Sequence, residues 1–221
     1  MRELKDYQRQ GVAFLVTRRR AILADEMGLG KTMQAIRAAK SLNLGQNERV
    51  VVACPASVLG VWRQELALEG IPATIWNSGR NTRLDLPGWT LISWSMLHRM
   101  ADTMSGRIGL LILDEAQYLK SVETIRTNAA LRLDERSDRV WMLSGTPMKN
   151  FADELYVLAR LAGIRSEEAR SYWTWRDAFC TTETKTLKLM RPTPRGLMQA
   201  MQEIVSITGD RNGTRLADLR G

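Results

Sequence analysis

One eight-residue stretch limits what this chain can fold into more than any other: Asp25-Glu26-Met27-Gly28-Leu29-Gly30-Lys31-Thr32. It stands between a short apolar run, Ala21-Ile22-Leu23-Ala24, and a helical pattern over 32–42. Its glycines allow a tight loop and a close approach of backbone to a ligand. A strand that feeds a loop and then a helix is the opening unit of a parallel sheet, because parallel strands need crossover connections. The rest of the chain repeats that unit. Leu4, Tyr7, Gly11, Phe14 and Leu15 recur at helical spacing ahead of it. Val50-Val51-Val52-Ala53, stopped by Pro55, precedes a helix over 58–68, and further strands are predicted at 73–76, 90–93, 110–113 and 140–143. Strands apolar on both faces and separated by helices imply an α/β fold, a mostly parallel sheet with helices on both faces. Ligands of such sheets sit at the carboxyl ends of the strands, so the loops after Ala24, Ala53, Leu113 and Leu143 are expected to line one site.

Composition narrows the class. A chain of 221 residues suits one ordinary domain or two small ones, and 44% apolar with 25% charged residues is globular usage. Thirty-two Lys and Arg against 24 Asp and Glu give a net charge of +8, which favours a polyanionic partner. Cys54 and Cys180 are the two cysteines and His98 the single histidine, too few for tetrahedral zinc, so two buried free thiols in a reducing compartment are expected. No apolar run approaches the roughly 20 residues of a membrane helix, and the first residues carry no signal-peptide core. The expected setting is cytoplasmic, with no membrane partner.

Three segments carry chemistry. In the 25–32 loop, backbone N–H groups and a helix start would surround a phosphate chain, Lys31 would reach its β- and γ-phosphates, and the Thr32 hydroxyl would ligate Mg²⁺. Against the generic G-x-x-x-x-G-K-[ST] pattern there is one departure, Asp25 in place of the first glycine. In Leu110-Leu111-Ile112-Leu113-Asp114-Glu115-Ala116-Gln117 a buried strand ends in two carboxylates. Asp114 would hold Mg²⁺ and Glu115 would orient and deprotonate an attacking water. Ser144-Gly145-Thr146-Pro147, after the last strand, is a small polar loop suited to sensing the γ-phosphate.

With these segments in order, the chain resembles the N-terminal RecA-like lobe of a Swi/Snf-family ATPase of the second helicase superfamily. Leu4-Lys5-Asp6-Tyr7-Gln8-Arg9-Gln10-Gly11-Val12 resembles that family's adenine-reading segment, which makes Gln8 the base contact. The 25–32 loop is similar to the family's phosphate loop, including Asp25. Cys54-Pro55-Ala56-Ser57-Val58-Leu59-Gly60-Val61-Trp62 and Ile92-Ser93-Trp94-Ser95-Met96-Leu97 resemble its DNA-facing segments. The resemblance therefore implies backbone contacts to DNA from Pro55, Ser57, Ser93 and Thr146. It implies coupling through Gln117, Ser144, Gly145 and Thr146, with Gln117 standing where many relatives carry histidine. It covers residues 4–163, where Asn150 and Asp153-Glu154-Leu155-Tyr156 continue the family-like stretch, and is loose over 171–221. It divides the chain into a lobe, 1–163, and an extension, 164–221, leading to an inter-lobe linker.

The implied activity is ATP hydrolysis to ADP and phosphate coupled to DNA binding, in an intracellular, DNA-associated protein that is nuclear if eukaryotic. A second RecA-like lobe, in cis or in trans, is the implied partner, since in this family it supplies arginine fingers and half of the DNA track. The competing expectation is a nucleotide- and DNA-binding module with little turnover of its own. Two further alternatives are an interaction protein with a vestigial pocket and a small-molecule kinase. Trp173, Trp175, Phe179 and Cys180 are similar to an aromatic segment of annealing-helicase-type relatives, although aromatics at such spacing more often pack a core. The run Arg18-Arg19-Arg20 reads as a solvated helix end, with a place beside the phosphate loop as its alternative. Residues 165–180 are expected to be helical, 181–186 and 191–196 irregular, and 209–213 a turn before a closing helix.

Overall fold

The structure, a computed structural model, describes residues 3–77, 87–119, 121–145, 155–164, 167, 169–183, 186–190 and 205–206. Helix α1 (Asp6–Thr17) precedes β1 (Arg20–Leu23) and α2 (Lys31–Ser41). Next come β2 (Arg49–Cys54), α3 (Leu59–Leu68), β3 (Ala73–Ile75), β4 (Gly88–Ser93) and α4 (Leu97–Thr103). They are followed by β5 (Ile108–Asp114), α5 (Ile125–Asp134), β6 (Ser137–Leu143), α6 (Leu155–Leu161) and α7 (Tyr172–Phe179). Strands β7 (Cys180–Glu183), β8 (Thr186–Met190) and β9 (Val205–Ser206) close the series. Two short 3-10 turns, Ala56–Val58 and Ala116–Leu119, sit just past the ends of β2 and β5.

The main sheet has seven strands in the order β3-β4-β2-β5-β6-β1-β9, and every pairing in it is parallel. All six strands expected from apolar runs are present. The register sets Val52 beside both Leu91 and Ile112, and Leu23 beside Leu143, so apolar side chains stack in rows across the sheet. Alternation then sorts them onto two faces. Val50, Val52, Leu110 and Ile112 pack with Leu15, Ile36, Trp62 and Leu66 of α1, α2 and α3. Val51, Ala53, Leu111 and Leu113 pack with Leu97, Met100, Leu133 and Leu158 of α4, α5 and α6. A strand buried on both faces must be apolar at consecutive positions, which is why β5 is buried along its whole length.

Several expectations are corrected. Residues 181–183 and 186 are not irregular: β7 and β8 pair antiparallel with a register shift between Thr181 and Thr182, in keeping with the strand preference of threonine. The expected helix over 165–180 is shorter. Helix α7 starts at Tyr172, where the Thr174 N–H donates to Ser171 Oγ at 3.1 Å and the Ser171 N–H to Thr174 Oγ1 at 3.0 Å, a reciprocal cap that fixes the start. Arg20 opens β1 and is therefore at the end of that strand opposite the 25–32 loop; it pairs with Asp134 and donates to the Leu161 carbonyl at 2.7 Å. Trp175 is buried and meets Tyr156 edge-on at 6.0 Å, whereas Trp173 is 64% exposed. Cys54 is free and buried; the Cys180 side chain, residues 191–196 and residues 209–213 lie outside the described residues. None of the helices among the described residues is long and apolar enough to cross a membrane.

Candidate functional site

The carboxyl ends of β1, β2 and β5 open onto one cleft of about 470 Å³. Gln8, Gly28, Gly30, Lys31, Thr32 and Asp114 are among the residues that line it, with Glu115 at its edge. The loop leaves β1 through Ala24 and Asp25, turns at Met27 to Leu29, and enters α2 through Gly30, whose φ of 77° and ψ of 36° are left-handed. Gly28 has a φ of 86°. These glycines are therefore required by backbone shape. No side chain caps α2, and no acidic residue stands in its first turn. Its N-terminal N–H groups and the positive end of its dipole face the cleft.

Lys31, only 8% exposed, folds back across the loop and donates through Nζ to the carbonyls of Asp25 at 2.7 Å and Glu26 at 3.0 Å. Burial lowers the Lys31 pKa, against the opposing charges of Glu115, Asp114 and Asp25. Asp25 is fully buried, and its Oδ2 accepts from Gln34 Nε2 at 3.0 Å, which also donates to the Leu29 carbonyl at 3.3 Å. Gln8 clasps the loop from α1: Oε1 accepts from the Lys5 N–H at 3.0 Å and Nε2 donates to the Leu29 carbonyl at 3.1 Å.

Across the cleft, Asp114 ends β5 and is 5% exposed. Trp62 Nε1 donates to its Oδ2 at 2.7 Å and the Glu115 N–H to its Oδ1 at 2.9 Å. Burial pushes its carboxyl above the ordinary carboxylate range; the Trp62 donor opposes that rise and the charge of Glu115 adds to it. Burial and Asp114 together push the neighbouring Cys54 thiol up to about 12. Glu115 holds a left-handed φ of 53°, a strained conformation for glutamate. Its Oε2 accepts from Gln117 Nε2 at 2.5 Å, and Gln117 Oε1 accepts from Ser144 Oγ at 2.7 Å. The Ser144 N–H returns to the Leu23 carbonyl at 3.1 Å, and a Cβ on Gly145 would lie 3.0 Å from Met27 Cγ. Gln117 thus bridges the carboxylate pair to the loop after β6.

Of the remaining expected residues, Met27 is 60% exposed at the cleft mouth, and Glu26 and Leu29 supply loop carbonyls. Ser57 is exposed and Pro55 half-buried in the loop after β2. Ser93 is buried, its hydroxyl 3.0 Å from Ser95 Oγ. Thr146 lies outside the described residues. Gln34, Trp62 and Trp94 belong to the site although no chemistry was expected of them. Nothing local in their sequence says that buried side chains on α2, on α3 and after β4 reach Asp25 and Asp114.

ATP and Mg²⁺ fit this chemistry. An uncapped helix start faces a buried lysine and a buried carboxylate, and burial disfavours the charged form of both. A triphosphate–cation pair brings each of them a further partner of opposite charge.

Fold and site together define a RecA-like α/β lobe with a phosphate-type loop after β1 and an Asp-Glu pair after β5. The chain belongs to the SNF2-related domain family, whose model matches residues 7–208. It is 33% identical over 168 residues to the SWI/SNF-related matrix-associated actin-dependent regulator of chromatin subfamily A-like protein 1 of Xenopus laevis, an alignment covering 73% of this chain and 17% of that protein. It is 28% identical over 188 residues to the DNA annealing helicase and endonuclease ZRANB3 of Bos taurus, covering 79% and 17%. The chain thus spans about a sixth of the length of these relatives. Among solved structures, the Sulfolobus solfataricus SWI2/SNF2 ATPase core in complex with dsDNA superposes with a TM-score of 0.77 at 24% identity, covering 95% of this chain and 44% of that one. The core domain of the same source gives 0.75, covering 100% and 45%. That likeness establishes the fold.

Proposed function

We propose that this chain is the ATP-binding lobe of a DNA-dependent ATPase or translocase of the Swi/Snf type, hydrolysing ATP to ADP and phosphate when a second RecA-like lobe completes it in cis or in trans. The observation that carries the reading is the meeting, in one cleft, of an uncapped helix start, Lys31, and the Asp114–Glu115 pair. Gln8 reads the base, residues 25–32 wrap the phosphates, and Thr32 and Asp114 hold Mg²⁺. The cation supplies charge neutralisation to the reacting phosphate oxygens. Glu115 orients the attacking water and takes its proton. Gln117, Ser144, Gly145 and Thr146 relay the state of the cleft. Pro55, Ser57, Ser93 and Thr146 meet DNA backbone phosphates, so binding is weakly sequence-specific, and log K falls with log salt at roughly −0.9 per phosphate neutralised. Residues 1–163 form the lobe and 164–221 an extension toward the inter-lobe linker, in an intracellular, DNA-associated protein.

One observation favours a second reading, a nucleotide- and DNA-binding module with slow turnover: Gln117 Nε2 already occupies the Glu115 carboxylate at 2.5 Å. Arginines supplied from a second lobe contribute about 10³–10⁵ in rate in comparable phosphoryl-transfer systems. The test is titration with a fluorescent ATP analogue, with turnover measured with and without duplex DNA and with a second-lobe protein added. Mg²⁺-dependent binding that weakens at least about tenfold in Lys31→Ala is expected, since a charge-assisted phosphate contact contributes about 1.5–3 kcal/mol. Unchanged affinity in Lys31→Ala refutes both readings. Brisk turnover stimulated by DNA in this chain alone excludes the second.

A further inference from the structure

Two tryptophans grip the end of β5 from opposite faces of the sheet. Trp62 of α3, fully buried in the layer that holds α1 and α2, donates its indole N–H to Asp114 Oδ2 at 2.7 Å. Trp94, just past β4 and buried in the opposite layer, donates its indole N–H to the main-chain carbonyl of Asp114 at 3.1 Å. With the Glu115 N–H on Oδ1, both carboxylate oxygens and the carbonyl of one residue are held. An indole N–H only donates, so a buried tryptophan needs an acceptor, and any carbonyl would serve. Trp62 is aimed at an ionisable carboxylate instead, which packing of the core does not require.

Each indole is also anchored to a loop at the carboxyl edge of the sheet. Trp62 lies in the first turn of α3, which grows directly out of the 3-10 turn at Ala56–Val58. Trp94 follows Ser93, and its main-chain N–H donates to the Cys54 carbonyl at 3.1 Å, tying the end of β4 to the end of β2. The two donors on Asp114 thus sit directly beside the loops after β2 and β4.

We infer that Trp62 and Trp94 are positioning residues that transmit the placement of the loops after β2 and β4 to the Asp114 carboxylate, and so set how tightly the cleft takes a divalent cation with its nucleotide. The inference rests on the proposed function, in which Asp114 holds Mg²⁺ and those loops face DNA. A polyanion seated on the carboxyl edge is then felt at Asp114 without touching it. Side chains that orient a metal ligand typically contribute 10–100-fold to metal affinity.

The test titrates Mg²⁺ into the chain with a fluorescent ATP analogue, comparing the parent with Trp62→Phe, Trp94→Phe and Trp141→Phe. Trp141 is the control: equally buried, it donates its indole N–H to the Arg18 carbonyl at 3.1 Å, away from the cleft. Trp62→Phe is expected to raise the half-saturating Mg²⁺ concentration about tenfold or more with metal-free nucleotide affinity unchanged. Trp141→Phe is expected to alter neither. In the parent chain, the indole ¹H–¹⁵N resonances of Trp62 and Trp94 are expected to shift when a DNA duplex binds, with Trp141 still. This measurement decides the matter if Trp62→Phe does not fold. A Mg²⁺ midpoint of Trp62→Phe within twofold of the parent, or a bound duplex that leaves both resonances in place, overturns the inference. A parent that binds the nucleotide without regard to Mg²⁺ overturns the underlying reading of Asp114 instead, and the inference with it.

Discussion

Gly28 and Gly30 look equivalent in the sequence, yet the structure separates them, and replacing each by alanine measures the difference. Both have a left-handed φ, 86° and 77°, so an alanine at either position costs about 1–2 kcal/mol of backbone strain. A Cβ on Gly28 meets nothing within 4 Å, but a Cβ on Gly30 lies 2.7 Å from Gln8 Nε2. The Gln8 amide must then leave the Leu29 carbonyl, a bond of 3.1 Å that contributes about 1 kcal/mol. Gly28→Ala is therefore expected to destabilise by about 1–2 kcal/mol and Gly30→Ala by about 2–3 kcal/mol. For a chain of this size the latter lowers Tm by about 4–12 °C. Urea unfolding followed by tryptophan fluorescence gives the free energies. Repeating Gly30→Ala in a Gln8→Ala background is the decisive step: with the amide gone, the cost should drop to that of Gly28→Ala, a coupling of about 1 kcal/mol. Strict additivity within about 0.5 kcal/mol would falsify the claim that Gln8 clasps this loop.

Three other substitutions give distinct outcomes. Burial holds the Asp114 carboxyl above its ordinary range, so the folded chain keeps that proton to higher pH than the unfolded chain does. This group therefore erodes stability as pH rises from about 4 through its folded value, and the loss persists above it. The Asn amide cannot accept from both Trp62 and the Glu115 N–H, so Asp114→Asn carries a constant penalty. Its stability relative to the parent should nevertheless improve from pH 3 to pH 7; a relative stability that falls over that range contradicts this. Arg20→Ala leaves the Asp134 carboxylate buried without its ion pair and should destabilise by about 3 kcal/mol. Analogue affinity should stay unchanged, because the phosphate loop is a strand length away, roughly 13 Å. Gln117→Ala severs the bridge between Glu115 and Ser144. In the chain completed by a second lobe, DNA stimulation of turnover should fall about 2–30-fold, for a coupling of about 0.5–2 kcal/mol.

What could be read from the chain divides along a physical line. Strands such as Leu110 to Leu113 announce themselves because burial on both faces demands consecutive apolar residues. The phosphate loop and the Asp-Glu pair are legible for a similar reason: each concentrates its chemistry in a few adjacent residues. Helices α4 and α6, seven residues each, are too short for a 3.6-residue period to stand out. The partners of the chemistry were not legible. Trp62 and Asp114 are 52 positions apart and meet through the stacking of α3 on the sheet. Arg20 shows the converse: its basic triplet reads as a solvated helix end or, alternatively, as a neighbour of the loop. Yet Arg20 opens a four-residue strand that sets it apart from the loop, and it pairs with Asp134 at the strand's far end.

The cleft carries its charges at a cost to the folded chain, and that gives a test of occupancy independent of turnover. Burial disfavours the charged forms of Lys31 and Asp114 alike, and these have opposite signs. An anion alone would relieve Lys31 while adding repulsion at Asp114 and Glu115. A cation alone would relieve the carboxylates while opposing Lys31. Only the two together relieve both. A ligand at 100 times its Kd stabilises by about 2.7 kcal/mol, which for a chain of this size raises Tm by about 5–11 °C. Mg²⁺ with a non-hydrolysable ATP analogue should give that shift, and each component alone only a small part of it. Analogue and Mg²⁺ contributions that merely add, with no synergy, would mean that Lys31 and Asp114 do not act on one ligand.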